Sequence, residues 1–180
     1  MSVLWTEAPN TNPSCATRAR HLSVVARSPL RQASEFSMLV VVLACLLLVV
    51  ATTVLHYEVL RFLNLRLPAL KVPNRAKLLV VMFAAFVAHA VEMAIYGVAL
   101  FALIAWLGAG NLSGATGFGL ATCLYFSAET YTSLGFGDLT PIGPVRLLAG
   151  VEALNGLLLI GWSASFTYIS MERFWQAPEA

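Results

Sequence analysis

The sequence predicts an all-α membrane protein in which three long helices cross the bilayer and a short half-helix enters it between the second and the third. Three observations carry this. Hydrophobic residues make up 59% of the 180 and charged residues only 11%, far outside the soluble average. Three apolar runs, opening near Met38, Leu78 and Val145, are each long enough to cross about 30 Å of hydrocarbon at 1.5 Å per residue. Between the second and third runs lies the stretch from Tyr125 to Asp138 (YFSAETYTSLGFGD), too broken by glycine to be a span of its own.

The same composition narrows the partners. A net charge of +2 is too small to suggest nucleic acid, and the basic residues gather beside the apolar runs, where lipid headgroups would meet them. Membrane lipid is the expected partner; no small-molecule substrate and no cofactor motif is evident. Cys15, Cys45 and Cys123 are odd in number and scattered, so neither a disulfide framework nor a metal-ligand spacing follows.

Residues 1–35 hold three prolines and four arginines without sustained periodicity and read as a disordered tail. Residues 36–57 form the first span, a retained anchor whose apolar core is longer than that of a signal peptide. Residues 58–77 carry Arg61, Arg66, Lys71, Arg75 and Lys77 among leucines, with Pro68 and Pro73 breaking any continuous helix. This is a basic interfacial linker on the cytoplasmic side. Its irregular charge spacing does not suit a voltage sensor, which needs arginine at every third residue of an unbroken helix.

The outer helix, 78–107, carries His89 and Glu92, three apart and so on one helical face near mid-membrane. Ionisable groups at that depth are costly and face protein or water with a partner. The plain reading is a hydrogen-bonded pair joining two helices. Proton sensing and metal ligation are the alternatives, although two ligands do not make a metal site. An intramembrane enzyme built on this pair lacks a nucleophile, a third ligand and a cofactor motif, so no enzyme is expected.

The loop 108–144 opens with five glycines up to Gly119, interspersed with Asn111, Ser113 and Thr116, and reads as a flexible surface segment. Residues up to about Tyr131 can form a short helix. Gly135 and Gly137, two apart, then admit backbone dihedrals closed to residues with a side chain. Such a strand can aim successive carbonyls at one axis. Unsatisfied carbonyls cannot face lipid, so they must line a wet cavity or hold an ion, and the stretch points to permeation. After Pro141, Gly143 and Pro144 the inner helix runs from 145 to 175. Glu152, Asn155, Gly156, Leu159, Ser163, Thr167 and Ser170 recur along it at three- or four-residue steps. That stripe is either a cavity wall or ordinary interhelical packing, with Asn155, Gly156, Leu159 and Ser163 as the cavity candidates. Glu152, near the outer end, has a place behind the half-helix as its other option.

At Ser133-Leu134-Gly135-Phe136-Gly137, followed by Asp138, the chain resembles the pore region of potassium channels, whose filter is written Thr-Val-Gly-Tyr-Gly, usually with an acid next. The resemblance includes Tyr125, Phe126, Ser127, Glu129 and Thr132 upstream and extends over the flanking helices. It implies that residues 78–175 are an ion-channel pore domain assembled as a homotetramer, one pore loop per chain. Backbone carbonyls of Ser133, Leu134, Gly135, Phe136 and Gly137 and the Ser133 hydroxyl would then replace water around K+, the permeating ion rather than a cofactor. Thr132 and Asp138 flank that filter. Glu129, Tyr125 and Phe126 would support it from behind, with Glu129 expected to share a proton with Asp138.

Three departures bear on selectivity. Ser133 loses a methyl relative to threonine, Leu134 is larger than valine, and Phe136 lacks a hydroxyl that could tie the filter to its half-helix. Selectivity for K+ over Na+ is expected, with a weakly selective cation pore, or a non-conducting sensor or assembly subunit that keeps the fold, as alternatives. A filter entered from outside puts the carboxyl terminus and the basic linker in the cytoplasm of a multi-pass cell-membrane protein. The arginines of the tail would then lie outside, a tension relieved by translation starting at Met38 or by their distance from the bilayer.

Overall fold

The computed structural model describes residues 13–114 and 117–175. The chain divides into two compact units, Met1–Phe36 and Ser37–Ala180. Its elements are α1 (Pro13–Arg66), a 3-10 turn (Leu67–Ala69), α2 (Asn74–Ala105), β1 (Asn111–Ser113), α3 (Leu120–Tyr131), β2 (Thr140–Ile142) and α4 (Val145–Trp175). Three stretches are long and apolar enough to cross a membrane: Glu35–Ala69, Asn74–Ala105 and Val145–Phe174.

Two expectations for the N-terminal third are corrected. The tail was expected to be irregular, and residues 1–12 lie outside the described residues, but helix begins at Pro13. Proline suits the first helical position, and residues 14–35 contain no glycine, although Pro29 among them removes one helical hydrogen bond. The first helix, expected to end at residue 57, runs on to Arg66; Pro68 lies in the 3-10 turn and α2 starts after Pro73. Leu60, Leu63 and Leu67 recur at helical spacing and are buried with Val81 and Phe174, which rewards the extra turns. Lys77 Nζ sits over the Phe174 ring, 5.2 Å from its centroid, at the same end of the molecule.

The main core joins Val41, Cys45 and Leu48 of α1, Tyr96, Leu100 and Leu103 of α2, Cys123, Phe126 and Tyr131 of α3, and Val145 and Leu148 of α4. On α2 the inward stripe is Val81, Ala85, Ala88, Glu92, Tyr96, Leu100 and Leu103. Leu79, Met82, Phe83 and Phe86 of the opposite face are exposed, as a lipid-facing surface requires.

Within the loop read as a flexible surface segment, three residues form a short strand. β1 pairs antiparallel with β2 in the register Asn111↔Ile142, Leu112↔Pro141 and Ser113↔Thr140. Gly110, at φ +146°, leads into this ribbon so closely that a Cβ there would meet Val145 Cγ2 at 2.7 Å and run into the Ile142 carbonyl. At this position glycine serves close approach rather than mobility.

Candidate functional site: the end of the half-helix

The half-helix α3 stops through a defined cap. Thr132 is its last half-in residue, and Ser133 takes the left-handed conformation at φ +56°. The Leu134 amide donates to the Glu129 carbonyl at 2.9 Å and the Ser133 amide to the Thr130 carbonyl at 3.0 Å. These are the two bonds of a Schellman motif, with serine where glycine is usual. The Thr132 hydroxyl donates to the Ala128 carbonyl at 2.7 Å.

From this cap the chain continues as an irregular strand in which positive φ recurs at Ser133 (+56°), Gly135 (+54°) and Gly137 (+80°) and is absent at Leu134 and Phe136. Residues 132–138 are all exposed in the single chain. A Cβ on Gly135 or Gly137 would meet nothing within 4 Å, so backbone conformation rather than space demands glycine there. The negative pole of α3 lies where this strand begins.

Behind the strand, the Phe136 amide donates to Glu129 Oε2 at 3.2 Å, and the Tyr125 hydroxyl donates to Asp138 Oδ2 at 3.1 Å. Phe136, which lacks the hydroxyl discussed above, is thus tied to the half-helix through its main chain. Glu129 lies outside the three spans. Burial first, and the Asp138 carboxylate after it, raise the Glu129 carboxyl above its ordinary range, while the Phe136 amide acts in the opposite sense. Phe126, three residues before Glu129, is buried in the core.

The α4 stripe turns into the chain, which corrects its reading as a cavity wall. Asn155 Nδ2 donates to Thr52 Oγ1 at 2.8 Å and to the Tyr96 hydroxyl at 3.2 Å. Gly156 lies against the Tyr131 carbonyl, Leu159 is buried, and the Ser163 hydroxyl meets His56 Nε2 at 3.1 Å. Asn155 and Ser163 find their partners on other helices of the same chain, so the stripe packs inward. The opposite face, with Leu154, Leu157 and Leu158, is the exposed one. Glu152 does sit behind α3, hydrogen-bonded to Ser127, whose single hydroxyl hydrogen also has the Met93 carbonyl within reach at 2.7 Å.

His89 and Glu92 prove to be part of a larger cluster. Glu92 is fully buried; its Oε1 lies 2.9 Å from His56 Nδ1 and its Oε2 3.1 Å from His89 Nδ1, and the Tyr131 hydroxyl, itself 3.0 Å from His89 Nδ1, donates to the same carboxylate. His89 Nε2 meets Ser163 Oγ at 3.1 Å. His56 escaped the sequence reading although it carried a signal: an ionisable side chain at the end of an uncharged apolar run.

A family model described as Ion channel matches residues 77–173, more than half of the 180 residues. The inward rectifier potassium channel Kirbac3.1 of Paramagnetospirillum magnetotacticum is 38% identical over 77 residues, which is 42% of this chain and 26% of that protein. The chain thus spans about a quarter of that relative's length. No solved structure matches. The family match covers the outer helix, the half-helix with its glycine strand, and the inner helix, and the chain belongs to the ion channel family.

Proposed function

We propose that four copies of this chain surround a common axis in the cell membrane and pass dehydrated K+ through the carbonyls of Ser133, Leu134, Gly135, Phe136 and Gly137. The observation that carries this reading is the alternation of φ sign over residues 133–137 at the capped end of a half-helix. A bare cation needs oxygens on every side, and one chain supplies one strand, so the reading requires symmetric assembly. The negative pole of α3 lowers the cost of a cation at mid-membrane. The name of the relative, a potassium channel, supports K+ as the ion. The carboxyl terminus and the basic stretch from Arg61 to Lys77 lie on the cytoplasmic side in this reading. No resident cofactor is needed, since K+ is cargo.

A weakly selective cation pore is the second reading, favoured by the departures at Leu134 and Phe136, whose side chains are exposed in the single chain. K+ and Na+ flux from liposomes holding the purified protein separates the two. Barium-blocked K+ flux that is lost in Gly135→Ala supports the first reading, and equal Na+ flux supports the second. Tetramers that carry no ion at all would move the protein to the non-conducting sensor or assembly class.

A further inference from the structure

Five polar side chains from α1, α2, α3 and α4 face one another inside the second unit: His56, His89, Glu92, Tyr131 and Ser163. We propose that His56, His89 and Glu92 ligate one divalent transition metal of the zinc class, with the Tyr131 hydroxyl beside the fourth position and Ser163 orienting both imidazoles.

Geometry supports this first. One ligand atom from each of the three residues falls within a set whose members are all within 4.8 Å of one another. His56 Nδ1 meets Glu92 Oε1 at 2.9 Å and His89 Nδ1 meets the other oxygen, Oε2, at 3.1 Å, so the carboxylate already stands against both ring nitrogens. Two imidazole nitrogens with one carboxylate oxygen suit zinc, cobalt or nickel rather than the all-oxygen preference of calcium or magnesium. His56 and Glu92 are fully buried, and the His89 side chain, 16% exposed, gives a point of entry.

The partners of the far ring nitrogens agree with it. Both Nε2 atoms lie 3.1 Å from Ser163 Oγ. A metal bound to both Nδ1 atoms leaves the ring protons on Nε2, and Ser163 Oγ, with two lone pairs, accepts both. With no cation the two rings take different tautomers: His89 Nε2–H donates to Ser163, and the Tyr131 hydroxyl faces His89 Nδ1 at 3.0 Å. A proton on an imidazole is the rival occupant.

The test uses tag-free full-length protein in nanodiscs, stripped by chelator and titrated with Co2+ and then Zn2+. The expected result is one Co2+ per chain with the visible absorption of a tetrahedral nitrogen–oxygen site, displaced by Zn2+ and not by Mg2+. His56→Ala and His89→Ala should each weaken binding by at least about 100-fold, and Ser163→Ala, which keeps all three ligands, by about 10-fold. A folded wild type that takes up no Co2+ or Zn2+ at micromolar concentration leaves the site to a proton and overturns the proposal. Uptake unchanged in both histidine variants overturns it equally. Should those variants fail to fold, the wild-type spectrum and Ser163→Ala still decide. Ion flux is not the readout, so this result and the permeation reading stand or fall separately.

Discussion

The amide of Phe136 donates to the carboxylate of Glu129, 3.2 Å away and seven residues earlier in the chain. One side chain of the half-helix therefore fixes the middle of the strand beyond it. In Glu129→Ala that amide loses its acceptor, and a lost charge-assisted bond is worth about 2 kcal/mol. Current through bilayers holding this variant should decay several-fold faster than wild type, while Glu129→Gln, which keeps an acceptor oxygen, should fall between. Unchanged decay together with an unchanged melting temperature would reject the coupling.

The raised Glu129 carboxyl gives a pH dependence whose sign is set by linkage. An acid whose folded pKa lies above its unfolded value binds more protons folded than unfolded, so stability falls as pH rises. The loss begins near the ordinary carboxylate range and is complete above the raised value. Thermal melts of the purified protein across this window should slope downward with pH, and Glu129→Gln should flatten the slope.

Gly156 packs against the carbonyl of Tyr131, and a Cβ there would also come within 2.9 Å of the Tyr131 ring. The obstacle is main chain at the end of α3, which cannot swing aside. Gly156→Ala should cost about 3 kcal/mol, read as a lowered melting temperature. Gly161→Ala is the control, because a Cβ there meets nothing within 4 Å.

Asn155 joins Thr52 of α1 to Tyr96 of α2. Asn155→Leu should destabilise by about 1–3 kcal/mol, since it strands buried hydroxyls. Thr52→Val should cost less. The double variant should lose less than the sum of the two, measured by denaturation of the three proteins.

Glu152 has one carboxylate oxygen bonded to Ser127 and the other without a partner among the described residues. The Ser127 hydroxyl has a second acceptor in the Met93 carbonyl at 2.7 Å. A glutamine amide can donate to Ser127, so Glu152→Gln should stay within about 0.5 kcal/mol of wild type, whereas Glu152→Ala should cost about 2 kcal/mol. A strongly destabilised Glu152→Gln would contradict this bonding.

The three spans were legible because a bilayer demands length and apolarity, which composition displays directly. The break after α3 was legible at Gly135 and Gly137. It was not legible at Ser133, whose left-handed turn depends on the cap made with Glu129 and Thr130 rather than on its own residue type. Three-residue strands such as Asn111–Ser113 are too short to show alternation. The direction of the α4 stripe was undetermined because small polar residues serve cavities and helix contacts alike. Only the partners Thr52, Tyr96 and His56, distant in sequence, decide it.

Those partners have a mechanical result. α1 lies before residue 77, where the family match begins, yet Thr52 holds α4 at Asn155, His56 holds it at Ser163, and Leu60, Leu63 and Leu67 hold it at Phe174. A swing of the inner helix must carry the first helix with it or tear buried polar contacts in a solvent that offers no replacement. The first and the inner helix thus form one mechanical unit.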